Sequence, residues 1–144
     1  MKSMHSMSVL VAVLLMSCSP APLSEEELLQ GLAEMEQHGP YQFKVQTWPR
    51  LVDKTITYCG TIAEVEATDA GSRVTLNLEK TPAGEALSWS LEGKSDSPAL
   101  AREYVVGDPI CLTGIFESYV AVEYYEPPYR GTVKLTSWEK PVAT

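Results

Sequence analysis

The side chains able to make or break covalent bonds are few in this chain. They are Cys18, Cys59 and Cys111, two histidines (His5 and His38), and 19 carboxylates among 144 residues. A thiol can be acylated, oxidised to a disulfide or used as a nucleophile, and its neighbours and compartment decide which. No CxxC spacing sets up a reactive redox pair, and no Ser or Cys lies in a nucleophile motif. One histidine near the start and one before Gly39-Pro40 cannot assemble a metal cluster. Cys59 and His38 could in principle meet as a dyad, but a second cysteine offers Cys59 a simpler partner. Among the carboxylates, Glu25–Glu27 read as a helix start, and Glu64 and Glu66 alternate along an exposed strand edge. Gly84, Gly93 and Gly107 read as turn residues, so no loop is built to cradle phosphate. The expectation is a non-enzyme with no metal and no cofactor.

Cys18 carries the more specific signal. Lys2 supplies a basic start, and Ser8–Met16, SVLVAVLLM, is an apolar run too short to cross about 30 Å of hydrocarbon as a helix. The run ends in Leu15-Met16-Ser17-Cys18, which resembles a bacterial lipobox with Met16 in place of a small residue. That resemblance implies cleavage after residue 17 and a lipid on Cys18. Acyl chains contribute roughly 0.8 kcal/mol per buried CH₂, so the three chains it implies would make release negligible. Ser19, where an Asp would be the inner-membrane retention signal, implies the outer membrane facing the periplasm. The alternative is a plain signal peptide with an incidental cysteine. With Cys18 assigned to lipid, Cys59 and Cys111 remain as an even pair in an oxidising compartment.

The charge balance excludes one large class of partner. With 11 Lys+Arg against 19 Asp+Glu the formal charge is -8. Loss of residues 1–17 takes Lys2 with it and makes the balance one unit more negative. Such a surface opposes non-specific attraction to nucleic-acid phosphates, so no nucleic-acid partner is expected.

The elements that must position these residues follow from periodicity. Residues 18–24 read as a tether. Ser24 and Glu27 then form a capping box, and Leu28, Leu29, Leu32 and Met35 make an apolar stripe, which predicts a helix over 25–38 that Gly39-Pro40 ends. The barrel domain is read over residues 41–140, and from Asp53 the period changes to two. Strands are predicted at Lys54–Ile62, Arg73–Leu78, Leu87–Leu91, Ile110–Val120 and Val133–Trp138. A short helix is signalled between the third and fourth by Ser97 as N-cap, Pro98 at its first position and Gly107 just past its end. Five strands with a helix between the third and fourth is the order of the OB-fold, a small closed barrel, here preceded by an amino-terminal helix. A five-strand sandwich is the competing architecture. Gly60 and Gly114, mid-strand, mark where coiled strands would bend around so small a barrel.

Two segments, VDKTITYCGTIAEVE and YVVGDPICLTGIFES, resemble the first and fourth strands of small exported bacterial OB-fold domains called tRNA-anti-like. The resemblance runs roughly from Leu28 to Trp138 and departs in the aromatic-rich sequence between the last two strands. The family name carries no implication of RNA binding here. In an OB-fold the first and fourth strands are antiparallel neighbours, and Cys59 and Cys111 fall on those strands, both on the face opposite the apolar set. A disulfide between them is therefore expected, against two free thiols or a redox pair.

Glu123–Gly131, EYYEPPYRG, is richer in aromatics than a connection requires. Tyr124, Tyr125, Tyr129 and Arg130 are residue types common at protein-interface hot spots, and Pro127-Pro128 would stiffen their loop. The expected role is docking of an envelope protein by a lipid-anchored binding module. The alternatives are an oligosaccharide- or nucleotide-binding domain, with a glycan stacked on the same loop, or a structural envelope protein. Equally, the three tyrosines could pack on the barrel mouth or near Trp48.

Overall fold

The computed structural model describes residues 22–122 and 124–142. Residues 1–17, Cys18 and most of the tether lie outside the described residues. Helix α1 spans Glu25–His38. Its Ser24 side chain accepts a hydrogen bond from the Glu27 N–H at 3.0 Å, and the Glu27 carboxylate accepts from the Ser24 N–H at 3.3 Å. Gly39, at φ 87°, ends it in a conformation that favours glycine. Where no element was legible in the sequence, the chain continues helically through α2 (Pro40–Gln42), a π-helical turn (Phe43–Thr47) and α3 (Trp48–Leu51).

Strands β1 (Thr55–Thr68), β2 (Gly71–Lys80), β3 (Ala86–Ser95), β4 (Pro109–Ala121) and β5 (Tyr129–Glu139) follow, with α4 (Ala99–Glu103) between β3 and β4. They close into a barrel in the order β1-β2-β3-β5-β4, with β3 and β5 parallel and every other pair antiparallel. This is the OB-fold order, and because each of the five strands pairs with two others the sheet closes on itself and cannot be a two-layer sandwich. At Gly114 the ladder between β4 and β5 slips by a residue. A Cβ there would stand 2.2 Å from the Lys134 carbonyl oxygen, so only glycine allows the backbones so close.

Both ends of the barrel are filled. At one end Leu28, Leu32 and Met35 of α1 pack with Ile56, Trp89, Leu91, Phe116 and Val133. The buried Trp89 indole N–H donates to the Leu32 carbonyl at 3.0 Å and ties α1 to β3. At the other end Leu100 and Tyr104 meet Ile62, Val74, Leu76, Ile110 and Leu112. Burying such side chains contributes about 1.5–3 kcal/mol each relative to exposure.

Glu64 and Glu66 are exposed on the part of β1 that pairs with β2 alone, as expected, and Glu66 pairs with Arg73. Three expectations need correction. Gly93 is not a turn residue but lies inside β3 opposite Val74. The short helix begins later and ends earlier than its signals suggest. Pro98 takes the N-cap position, while the Ser97 hydroxyl accepts from Ala99 N–H at 3.1 Å, and Gly107 lies beyond the end in a separate turn. Finally, Tyr129 and Arg130 are the first residues of β5 rather than loop, because they pair with Trp89 and Ser90.

Candidate functional site

The connection from β4 to β5 begins at Val122, whose N–H donates to the Pro128 carbonyl at 2.7 Å across the loop mouth. Tyr124 stands at its tip with φ 71°, a left-handed conformation that costs a non-glycine residue about 1 kcal/mol. Its side chain is wholly exposed, and Tyr125 is 61% exposed. The other two residues expected at this site go elsewhere. Tyr129 packs its ring 5.4 Å from that of Trp89. Arg130 lies on the outer face of the sheet and donates to Glu92 at 3.4 Å. The aromatic partners of Trp48 are Phe116 and Tyr119, at 5.0 and 4.7 Å, and not the loop tyrosines. The four residues thus divide into two exposed rings, one half-buried ring packed against the core and one member of a charged cluster. Burial raises the Tyr119 hydroxyl above the usual tyrosine range, as expected for a ring held in this packing.

That charged cluster was not singled out from the sequence. On the outer face, Glu92 of β3 is 6% exposed and lies 3.9 Å from Arg73, 3.5 Å from Lys94 and 3.4 Å from Arg130. Arg73 also pairs with Glu66. The available signal was period two: Glu92 and Lys94, and Arg130 and Lys134, occupy the positions that alternate with the core residues Leu91 and Val133. A single strand cannot show that three outward faces converge.

Cys59 and Cys111 are directly opposite each other on β1 and β4 and form a disulfide, with Cα atoms 4.0 Å apart. The bridge lies outside the barrel lumen. Cys59 therefore has no free thiol for a dyad with His38, which is exposed at the end of α1. A further polar site joins α1 to α3. Burial pushes the Glu34 carboxyl up, but hydrogen bonds from Thr47 and Arg50, with the charges of Arg50 and His38, outweigh it and hold the group below its ordinary range.

Among the solved structures that this chain resembles are an enzyme and a DNA-binding protein. An aspartyl tRNA synthetase from Entamoeba histolytica matches 62% of it at 11% identity with a TM-score of 0.47, and the chain spans 19% of that protein's length. A small single-stranded DNA-binding protein from Streptomyces coelicolor matches 62% of it at 11% identity with a TM-score of 0.39, over 94% of that protein. No protein-family model matches the chain, and no curated protein does. Strand order and pairing define the class: a closed five-stranded OB-fold barrel, plugged at both ends and stapled by a disulfide.

Proposed function

We propose that this chain is a lipid-anchored, non-catalytic binding module of the bacterial outer membrane that docks an envelope protein through Tyr124 and Tyr125. The observation that carries the reading is the pair of exposed rings on a loop where Tyr124 is held at φ 71°. A core tyrosine would gain from burial, and these two forgo that gain on a loop with two prolines. Stiffening the loop beforehand lowers the ordering cost of binding, and Tyr brings large contact area with few rotatable bonds.

The anchor fits the geometry of the amino terminus. The Leu23 N–H donates to the Thr55 carbonyl at 3.0 Å, and Leu23 bridges in parallel to Ile56, which fixes the start of the domain to β1. Four residues lie between Cys18 and Leu23, and the five Cα-to-Cα steps across them reach at most about 18 Å. A lipid on Cys18 would hold the barrel against the bilayer instead of leaving it on a long leash.

Cross-linking in the intact envelope, followed by affinity capture, tests the docking claim. Wild type should retain a partner that the Tyr124→Ser/Tyr125→Ser variant loses at unchanged thermal stability. Identical partner sets would overturn the role of the loop. Applying the same two proteins to a glycan array separates the alternative: a saccharide bound by wild type and lost by the variant would assign the loop to sugar stacking.

A further inference from the structure

We propose that the stretch where β1 and β2 part is a docking edge for an extended, acidic peptide segment of a partner protein, held by backbone pairing to Thr57, Cys59 and Thr61. The edge includes neither Tyr124 nor Tyr125 and stands whether or not that loop docks a protein.

Register shows where the strands part. β1 pairs with β4 from Thr55 to Thr61 and with β2 only from Ile62 onward. On β2, Asn77, Leu78 and Lys80 have their strand partners on β3 alone. The two strands meet at Ile62 and Leu76 and separate beyond that pair, and a groove of about 520 Å³ opens between them. Tyr58, Thr61 and Ile62 line it from one side, Asn77 and Lys80 from the other. Backbone direction follows from two fixed points. The Leu23 N–H donates to the Thr55 carbonyl, so the Thr55 backbone faces this edge. Ile62 donates to the Asp108 carbonyl and accepts from the Gly107 N–H, so its backbone faces the other way, toward β4. Alternation between these points turns the N–H and C=O groups of Thr57, Cys59 and Thr61 toward the groove. Thr61 agrees, since its neighbour on β4 is Pro109, which has no N–H to exchange.

Donors and acceptors at ladder spacing select one class of ligand, an extended backbone that returns both N–H and C=O. Leu23 already sits on this edge, parallel to Ile56, so the edge accepts a strand-like segment. The chain itself goes no further along it, because Ser24 turns away as the N-cap of α1. What remains open, from Thr57 to Thr61, is roughly 13 Å of strand and takes four or five residues of a second chain. Charge narrows the class. Lys80 is exposed and in no ion pair among the described residues, in a chain of formal charge -8. A segment that brings Asp or Glu to the mouth of the groove gains a partner there, and one that brings Lys is repelled.

Amide hydrogen exchange of the full chain, followed by NMR, tests the edge, and titration with the capped pentapeptide Glu-Val-Thr-Val-Thr tests the partner class. In the free protein the Cys59 and Thr61 amides should exchange at least about tenfold faster than those of Gly60 and Ile62, which face β4. Saturating peptide should slow the first pair and leave the second unchanged. A fully N-methylated copy of the peptide keeps the side chains, loses every donor and should bind at least about tenfold more weakly. The analogue Lys-Val-Thr-Val-Thr should bind wild type more weakly than the acidic peptide, and Lys80→Glu should reverse that order. Thr61→Pro removes one edge donor without touching the β4 ladder, so it should weaken binding at a melting temperature close to that of wild type. The reversal in Lys80→Glu, an exposed surface position, stands as a test even where the proline variant is destabilised. Slow Cys59 and Thr61 amides in the free protein at low concentration, no slowing by the acidic peptide, equal binding of the N-methylated copy, or an unreversed order in Lys80→Glu would each overturn the proposal. So would protection that rises with protein concentration alone, which would assign the edge to a second copy of the chain.

Discussion

Tyr124 and Tyr129 are five residues apart and share a side chain, yet they have opposite roles. Tyr129 starts a strand and is held against Trp89, while Tyr124 is turned out by a left-handed backbone. A substitution at Tyr129 should therefore act on stability, and one at Tyr124 on the proposed binding. The residue-level feature with the largest expected effect is the disulfide. It closes a loop with a sequence separation of 52, for which the chain-entropy account gives up to about 4 kcal/mol. Chemical denaturation of the Cys59→Ser/Cys111→Ser protein should show a loss of about 2–4 kcal/mol, matched by reduction of the wild type. Because Cys59 is solvent-exposed, reductant should reach the bond without prior unfolding.

At the level of elements, α1 is a lid on the barrel more than an appendage. It contributes buried leucines to the same core as β3 and β4, and its Leu32 carbonyl receives the Trp89 indole N–H. Trp89→Phe removes that donor and leaves a void, at a cost of about 1–3 kcal/mol by thermal or denaturant unfolding. A second tie runs from α1 to the helical run after it, through Glu34, Thr47 and Arg50. Since the folded protein holds the Glu34 carboxyl below its ordinary range, its contribution is complete above the unfolded value near pH 4.5. That contribution fades as pH falls through the lower folded value. Glu34→Gln should cost under about 1 kcal/mol at neutral pH, because Arg50 is largely exposed, and should flatten the acid side of the stability profile. An acid limb as steep in the variant as in wild type would remove Glu34 from the account.

For the whole molecule, the decisive quantities are closure and attachment. Closure gives every strand two neighbours, and a helix at each end leaves the core no opening, so ligands are left with the outer faces and loops. The proposed attachment would follow from Cys18. Cys18→Ser protein should leave the membrane fraction for the soluble fraction on cell lysis, and mass spectrometry of the amino-terminal peptide should show the acyl chains on wild type alone. A wild-type terminus without lipid would overturn the proposed anchor.

Much of this architecture could be read locally. The capping box at Ser24 and Glu27, the stop at Gly39, the alternation around Val74–Leu78 and the strand–helix–strand order are set by contacts within a few residues, and there the sequence determined the outcome. The pairing of Cys59 with Cys111 was also legible, because strand order fixes which strands are neighbours. Other features depend on partners far away in the chain. Tyr129 and Arg130 read as loop until β3 offers them a parallel ladder, and the helical run from Pro40 to Leu51 has no strong period of its own. The cluster around Glu92 gathers residues from positions 73 to 130, which no window along one strand can bring together. Local sequence decided the elements, and only barrel closure decided which outward faces would meet.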